Sequence, residues 1–313
     1  MRILLTGGTG YIGQYTRKFL KDNGHDVVIT SRRIDGIVDG YPNKYLELLD
    51  TSSITNICKG FDVVIHMANL NELLVAEQPR EALLANSYAT RTLYLDATEC
   101  NVKYFVYLST FHVYGLDNGI IDESTKVNPR TDYALTHFFA EQYIKQLSVH
   151  SNCKVSIVRL TNGIGLPLNN IDKWYLVLND FCKMAFLENR ITMKSNGLPI
   201  RDFIAMKDVA KGILFIINHM QEQGDKYDVY NLSSQTVYNM RDLAYMVKEC
   251  FHQKYNKDIE LILPDVTEDQ KRAIKPLLVN SNKLRKLGWI PEIKITDVIE
   301  EIFNGLELAM FKK

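Results

Sequence analysis

The chain has 313 residues, of which 46% are hydrophobic, and its 37 basic and 37 acidic residues give a formal net charge of zero. This length suits one large domain or two fused lobes with a sizeable core. The balanced charge argues against a nucleic-acid-binding protein and against binding to an anionic membrane surface, so any anionic ligand must be held by a local site.

Five cysteines are scattered along the chain without a C-x-x-C pair. An odd, dispersed set is typical neither of a disulfide framework nor of a zinc cluster, and the histidines show no metal-ligand spacing, so no metal site is predicted. The chain begins directly with the strand-like "MRILL", and no apolar run approaches the roughly 18 residues of a membrane span. These features predict a cytoplasmic protein without membrane association.

Short apolar runs alternate with helical stretches over the first half of the chain. The runs cover 2–7, 26–31, 45–50, 62–68, 104–110 and 154–160. Helices are predicted over 11–23, about 79–100 and 132–147. Continuous β-branched runs separated by helices are typical of parallel strands covered on both faces. The predicted fold class is therefore α/β, a doubly wound Rossmann parallel sheet with a smaller C-terminal substrate-binding lobe.

A domain boundary is predicted at residue 160, because the alternation loosens beyond it and prolines become frequent. Residues 1–160 are predicted to form the dinucleotide-binding domain, with 201–235 returning to its sheet through a further helix and strand. Residues 161–200 and 236–313 are predicted to form the substrate-binding lobe.

The segment "TGGTGYIG" (6–13) places Gly7, Gly10 and Gly13 directly between the first predicted strand and the first predicted helix. Glycines at this spacing permit a tight turn and let backbone amides approach a pyrophosphate. The helix N-terminus, which contains Tyr11 and Ile12, favours the same anion. This motif predicts dinucleotide binding.

The end of the second predicted strand bears on the choice of dinucleotide. NAD sites usually present an acidic residue there to the adenosine ribose, whereas this chain has Ser31, Arg32 and Arg33. A guanidinium matches a phosphate bidentately, so NADP(H) is favoured and NAD(H) is the alternative, unless both arginines are simply solvated. Asp50, which ends the third predicted strand, is a candidate for the adenine amino group or else caps a turn.

Several further motifs occur in a fixed order. They are "VVIHMA" with Met67 and Ala68, "ANSYAT" with Asn86, "LSTFHVYG" (108–115), "DYALTHFFAEQ", "VRLTNGIG" (158–165), "GLPIRDFIAMKDVA" (197–210), "YNLSS" and "LRKLGWIP" (284–291). In these motifs the chain resembles, over almost its whole length, the extended short-chain dehydrogenases/reductases of the nucleotide-sugar epimerase, dehydratase and reductase branch. The resemblance implies a nucleotide-sugar substrate and cofactor contacts from Met67, Ala68 and Asn86.

The resemblance also implies a catalytic set. Thr110 matches the Ser/Thr that hydrogen-bonds the reacting sugar oxygen, Tyr133 matches the acid/base tyrosine, and His137 takes the place of the family's lysine one helical turn further on. A lysine there would lower the tyrosine pKa and hydrogen-bond the nicotinamide ribose, whereas imidazole is shorter and only partly charged near neutral pH. His137 is therefore expected to contact the ribose, directly or through water, and to activate Tyr133 less; the alternative is an inert His137 in a slow or inactive protein.

Phe111 and His112 follow Thr110 at the positions where the family's sugar 4,6-dehydratases carry an Asp-Glu pair. A dehydratase is therefore not expected. Both residues are candidates for substrate contact, although His112 is equally suited to a structural role.

The substrate diphosphate needs its own local site in a chain of zero net charge. Asn162 matches a family asparagine near that diphosphate, and Arg272 is a candidate guanidinium clamp from the second lobe. Arg201 is expected instead to anchor buried structure with a carboxylate partner.

The leading functional hypothesis is an NADP(H)-dependent oxidoreductase that reduces a 4-keto nucleotide-linked sugar, such as a 6-deoxy sugar, in polysaccharide biosynthesis. One alternative is an NAD-dependent nucleotide-sugar 4-epimerase or C4 dehydrogenase. Another is a non-catalytic NAD(P)-binding protein, which the absent lysine keeps open. The helices at 79–100 and 132–147 resemble the pair through which the family dimerises, so a homodimer is expected.

Overall fold

The structure is a computed structural model that describes residues 1–169, 171–223 and 225–310, with the side chain of Lys271 excluded. Its strands are β1 (Arg2–Thr6), β2 (Asp26–Ser31), β3 (Gly36–Val38), β4 (Tyr41–Tyr45), β5 (Val63–His66), β6 (Tyr104–Thr110), β7 (Gly119–Ile121), β8 (Lys154–Leu160), β9 (Asn162–Ile164), β10 (Arg190–Thr192), β11 (Ile200–Ala205), β12 (Tyr227–Leu232), β13 (Val237–Asn239), β14 (Glu260–Ile262) and β15 (Leu277–Val279). Its α-helices are α1 (Tyr11–Asp22), α2 (Glu72–Glu77), α3 (Pro79–Ala82), α4 (Ala89–Glu99), α5 (Asp132–Ser148), α6 (Val177–Glu188), α7 (Met206–Glu222), α8 (Met240–Tyr255), α9 (Glu268–Arg272), α10 (Asn282–Lys286) and α11 (Ile295–Met310). A π-helical segment (Leu83–Tyr88) joins α3 to α4, and 3-10 turns cover Thr51–Ile54 and Phe111–Tyr114.

The main sheet has eight strands in the order β12-β8-β6-β5-β1-β2-β4-β3, and every neighbouring pair is parallel except β3 and β4. Successive side chains of each strand serve opposite faces. Thus Leu5 packs in a buried cluster with Ile213 of α7, whereas Leu4 packs with Leu93 of α4 and Ile144 of α5. The doubly wound α/β fold class is confirmed.

The third predicted strand, 45–50, was placed wrongly. The strand in this region is β4, which ends at Tyr45, and it is preceded by the short antiparallel strand β3. Asp39 and Gly40 between them have φ angles of 53° and 79°. An Asp-Gly pair with both φ angles positive is the preferred two-residue hairpin turn, so the chain reverses here and pairing with β2 starts earlier than predicted.

The later chain builds a second buried cluster around α6, α8 and α11. Of the segment 201–235, only β12 joins the main sheet, because β11 pairs with β9 and β13 in a separate three-stranded sheet. Two tyrosines of α1 connect that helix to the segment after β9. Tyr11 donates to the Gly165 carbonyl, and Tyr15 donates to the Leu166 carbonyl at 2.9 Å. The proposed domain boundaries stay a prediction.

None of the helices in the described ranges is both long enough and apolar enough to cross a membrane.

Candidate active site

The turn between β1 and α1 depends on glycine. Gly7 has a φ of +70°, and a Cβ atom added to Gly13 would lie 2.1 Å from the Gly7 oxygen. The Gly10 amide donates to that same oxygen at 2.8 Å. The amides of the first turn of α1, including those of Tyr11 and Ile12, have no acceptor within the helix. This backbone cradle fits the pyrophosphate of a dinucleotide.

The segment after β5 lies against the glycine turn and is held by two side chains. The Thr6 hydroxyl oxygen accepts from the amides of Met67 at 3.1 Å and Ala68 at 3.2 Å. Asn86, in the π-helical segment, accepts from the Leu70 amide at 2.7 Å and donates to the Leu70 carbonyl at 3.1 Å. The side chain of Asn86 is thus engaged within the protein, and it shapes the predicted cofactor site by holding this segment in place.

The end of β2 presents two free guanidinium groups. The Ser31 hydroxyl donates to the Asn43 side-chain oxygen at 2.8 Å and accepts from the Arg33 amide at 3.2 Å, which orders the start of the following loop. Arg32 and Arg33 are exposed, and neither forms an ion pair with any residue that the structure describes. The loop offers hydroxyl and cationic groups where NAD sites usually carry a carboxylate.

Asp50 lies beyond β4 and caps a turn. Its carboxylate accepts from the Ser52 amide at 3.0 Å and from the Ser52 hydroxyl at 2.6 Å, at the start of the 3-10 turn Thr51–Ile54. This is the turn-capping alternative of the two roles considered from the sequence.

Thr110 and Tyr133 come together at the carboxyl end of β6. Thr110 is the last residue of that strand, and Tyr133 lies in the first turn of α5, which the Thr131 side chain caps. Burial raises the pKa of Tyr133 to about 12; the Glu72 carboxylate acts in the same direction, and a hydrogen bond with the Thr110 side chain opposes it. The phenol is therefore protonated at neutral pH, with its oxygen next to the Thr110 hydroxyl.

His137 sits over a row of polar side chains that crosses three strands. Register places Thr6 of β1, His66 of β5 and Tyr107 of β6 side by side. The His137 Nδ1 atom lies 2.8 Å from the Tyr107 hydroxyl, and its ring centroid lies 4.7 Å from that of Tyr133 in an edge-to-face arrangement. The contact with Tyr107 is not predictable from any local sequence pattern.

The imidazole of His137 is uncharged in this position. His137 is only 1% exposed, and burial lowers its pKa to about 3. The expectation of a partly charged imidazole near neutral pH is wrong, because the side chain is sealed between α5 and the sheet. Its Nε2 atom is buried and has no hydrogen-bond partner among the residues described.

A buried ion pair fixes α5 on the sheet one turn beyond His137. Arg159 of β8 donates to both carboxylate oxygens of Glu141, at 3.1 and 2.6 Å, and the Ser109 hydroxyl donates to Glu141 at 2.6 Å. This bidentate contact joins α5 to two strands and thereby sets Tyr133 against Thr110.

Phe111 and His112 have opposite surroundings. The 3-10 turn Phe111–Tyr114 directs Phe111 into a buried apolar cluster, where it is 6% exposed. Phe111 therefore packs in the core in this structure, and its contact with substrate stays a prediction. His112 is exposed, its amide donates to the Thr110 hydroxyl oxygen at 3.2 Å, and its ring centroid lies 6.1 Å from that of Tyr133.

A cavity of about 450 Å³ lies beside β11. Its lining residues are Asp117, Asn118, Pro199, Ile200, Arg201, Ala273, Ile274 and Lys275. The expected carboxylate partner of Arg201 is absent from the described residues, and its guanidinium donates only to the Ile200 carbonyl at 3.2 Å. Arg201 and Lys275 are thus cationic residues of the cavity wall that the sequence analysis did not assign to a ligand.

The two predicted diphosphate residues lie in different settings. Asn162 begins β9, and its side-chain amide donates to the Asp202 carbonyl at 2.8 Å. Arg272 ends α9, is exposed, and directly precedes the wall residues Ala273–Lys275 of the cavity.

The family model of the NAD dependent epimerase/dehydratase family matches residues 3–233. The chain belongs to this family. Two relatives are the UDP-glucose 4-epimerase of Rhizobium meliloti and the low-salt glycan biosynthesis protein Agl12 of Haloferax volcanii, each 24% identical over 96% of this chain and 96% of the relative.

Solved structures of similar shape include a UDP-glucose 4-epimerase, with a TM-score of 0.82 and 25% identity over 97% of both chains. MoeE5 in complex with UDP-glucose and NAD has a TM-score of 0.80 and 17% identity, covering 99% of this chain and all of MoeE5. At this identity the second likeness supports the fold of the epimerase/dehydratase family.

Proposed function

We propose that the protein is an NADP(H)-dependent reductase of a 4-keto nucleotide-linked sugar. The observation that carries this proposal is the geometry around Tyr133: its phenol lies beside the Thr110 hydroxyl, and its ring centroid lies 4.7 Å from that of the buried His137, where the family carries a lysine. Burial raises the pKa of Tyr133 to about 12 and lowers that of His137 to about 3, so the phenol has its proton and a neutral neighbour. A protonated phenol is ready to donate a proton to a carbonyl oxygen, whereas oxidation of an alcohol needs the phenolate.

The chain's own residues manage the proton and the oxygen. A bound nicotinamide supplies the hydride that reduces the carbonyl carbon. Tyr133 donates its proton to the carbonyl oxygen, and the Thr110 hydroxyl donates a hydrogen bond to that oxygen as negative charge develops on it. The product is the alcohol, and the Tyr133 phenolate recovers its proton from solvent.

The substrate diphosphate is assigned to the cationic wall of the 450 Å³ cavity, with Arg201 and Lys275 as its principal partners and Arg272 at its rim. Guanidinium groups without a carboxylate partner are suited to bidentate contact with phosphate oxygens. A UDP-sugar is the ligand class supported by the relatives, one of which is a UDP-glucose 4-epimerase.

A panel assay tests the proposal. The purified protein is incubated with NADPH and with UDP-, dTDP- and GDP-linked 4-keto sugars, and the loss of reduced-cofactor absorbance is followed. Consumption of NADPH with at least one sugar supports the reductase. If NADPH binds but none of the sugars is reduced, the non-catalytic binding protein is the better account.

The two reaction directions should differ in their pH dependence. Because Tyr133 has a pKa of about 12, the fraction of phenolate rises about tenfold per pH unit between about pH 7 and 10. We expect kcat for oxidation of the 4-hydroxyl sugar to follow this rise, and kcat for reduction to stay nearly constant over the same range. Stopped-flow measurement of both directions checks this, and an oxidation rate that is already at its plateau near pH 7 would contradict it.

A 4-epimerase is the second candidate, because a whole-length relative is a UDP-glucose 4-epimerase. An epimerase must both oxidise and reduce at C4 without releasing its cofactor. Mass spectrometry of the supernatant after acid denaturation separates the two, since retained NAD(H) favours the epimerase and a protein purified free of nucleotide favours the reductase.

The choice between NADP(H) and NAD(H) is assigned to Arg32 and Arg33. We expect the double variant Arg32→Ala/Arg33→Ala to bind NADPH about 10- to 100-fold more weakly, since charge-assisted hydrogen bonds to a phosphate contribute about 1.5–3 kcal/mol. Its affinity for NADH should change little. Arg190→Ala, which removes an exposed arginine paired with Glu188, is the control. Equal losses for both nucleotides would mean that the arginines do not read the 2′-phosphate.

The proposed homodimer is supported by an apolar surface on the predicted helix pair. Leu83, Leu84 and Tyr88 of the π-helical segment are 46%, 41% and 46% exposed, and Phe139 of α5 is 39% exposed. Packing of this surface against a second copy would bury all four side chains. The cytoplasmic location also stays a prediction, with which five free cysteines are compatible.

A further inference from the structure

One buried side chain connects the residues of the loop that follows β2. Asn43 of β4 is 4% exposed and lies opposite Ile29 of β2. Its side-chain oxygen accepts from the Ser31 hydroxyl at 2.8 Å. Its side-chain nitrogen donates to the carbonyls of Arg33 and Ile34, both at 3.1 Å. The two carbonyls can only accept, so a side-chain amide, which offers both an acceptor and two donors, fits this position.

The backbone of Arg33 is thereby held on both sides. Its amide donates to the Ser31 hydroxyl oxygen at 3.2 Å, and its carbonyl accepts from Asn43. The side chains of Arg32 and Arg33 are nevertheless exposed. The loop thus combines a fixed backbone with guanidinium groups that face solvent.

This loop lies at the same edge of the main sheet as the glycine turn. β2 pairs with β1 in parallel, so the carboxyl ends of the two strands lie side by side. The Asp35 carboxylate accepts from the Tyr45 amide at 2.6 Å and connects the far end of the loop to β4. Arg32 and Arg33 therefore lie on the pyrophosphate side of the sheet, on a backbone whose conformation is set by contacts within the protein.

We propose that Asn43 is a positioning residue that fixes the backbone of residues 32–34 and thereby raises the affinity of Arg32 and Arg33 for the 2′-phosphate of NADP(H). The proposal rests on the cofactor choice made in the proposed function. A loop that is already held in one conformation loses less conformational entropy when it binds a ligand. NAD(H) lacks the 2′-phosphate, so its affinity should not depend on Asn43.

The two reduced nucleotides isolate this effect. We expect Asn43→Ala to raise the Kd for NADPH about three- to tenfold, the cost of ordering one flexible side chain on binding. Its Kd for NADH should be unchanged, and isothermal titration calorimetry measures both values. Asn231→Ala is the matched control and should change neither. Asn231 is a buried asparagine at the opposite edge of the main sheet, where it accepts from Tyr114 and donates to the Asn280 carbonyl.

A double-mutant cycle distinguishes positioning of the arginines from a general loss of order. The Arg32→Ala/Arg33→Ala protein lacks the groups that Asn43 is proposed to position. Adding Asn43→Ala to that protein should therefore not raise the Kd for NADPH further. A further loss as large as in the wild-type background would overturn the proposal, because Asn43 would then act without the arginines.

Hydrogen exchange of the wild type needs no variant. The Arg33 amide donates to the Ser31 hydroxyl oxygen, so we expect NMR to show slower exchange of this amide in the nucleotide-free protein than in the urea-unfolded chain. An Arg33 amide that is protected only after NADPH is added would overturn the proposal. If Asn43→Ala fails to fold, this measurement decides alone.

The outcomes separate this proposal from the proposed function. Equal losses for NADPH and NADH in Asn43→Ala, or no loss for either, would overturn the positioning role and leave the reductase standing. A wild type that binds NADH as tightly as NADPH would reject the cofactor choice and the positioning role together. A selective loss of NADPH affinity, together with no reduction of any keto sugar by the wild type, would uphold the positioning role and reject the reductase.

Discussion

Replacement of Tyr133 by phenylalanine is expected to lower kcat for keto-sugar reduction by about 10²- to 10⁴-fold, the usual contribution of a positioned general acid. The loss follows from the position of the phenol oxygen beside Thr110 and from a pKa of about 12, which keeps its proton available at neutral pH. Steady-state kinetics at saturating NADPH measure the effect.

A tyrosine on the same helix provides the control for that experiment. Tyr143 lies on α5 ten residues after Tyr133, and its ring stacks with the guanidinium of Arg91 at 5.9 Å. Tyr143→Phe should leave kcat within about twofold, because it removes a hydroxyl without touching the site. If Tyr133→Phe kept most of its kcat while binding NADPH normally, another group would have to be the proton donor.

Replacement of Glu141 by alanine is expected to lower the free energy of unfolding by about 3–5 kcal/mol. The substitution leaves the Arg159 guanidinium, 7% exposed, without its carboxylate and also removes the acceptor of the Ser109 hydroxyl. Urea unfolding followed by circular dichroism, at one fixed protein concentration, measures the change.

An exposed ion pair provides the comparison for Glu141. Glu188 and Arg190 are paired at 3.1 Å with side chains 48% and 53% exposed, so Glu188→Ala should cost only about 0–1 kcal/mol. The double variant Glu141→Leu/Arg159→Met should recover much of the loss, since no buried charge then remains unpaired. A Glu141→Ala protein as stable as Glu188→Ala would show that the buried pair does not hold α5 on the sheet.

The strands and the glycine turn are predictable because their signals are local. The predicted runs 26–31, 104–110 and 154–160 coincide with β2, β6 and β8. The hairpin before β4 also has a local signal, because the Asp39-Gly40 pair favours a two-residue turn ahead of the apolar run that follows. Local patterns of this kind fix where a strand lies once turn residues are considered.

The residues that surround His137 come from elements far apart in the sequence, so its surroundings could not be predicted from a local pattern. Tyr107 reads as an ordinary core residue of an apolar strand, and it meets His137 only because β6 lies beside β5 and α5 docks over both. The charge of His137 depends on that docking. The surroundings of Arg201 are also non-local: β11 lies in a sheet separate from the main one, and none of the carboxylates that the structure describes pairs with this guanidinium.

Transfer of deuterium from the reduced nicotinamide to the sugar would show whether the protein reduces the sugar at C4. The protein is incubated with NADPH deuterated on the transferring face of nicotinamide C4 and with the keto sugar that the panel identifies, and the product is examined by NMR. We expect one deuterium at the sugar C4, and about 10²- to 10⁴-fold less of this labelled product from Tyr133→Phe in the same time. NADPH that stays deuterated with every sugar, or label found at another carbon, would contradict this expectation.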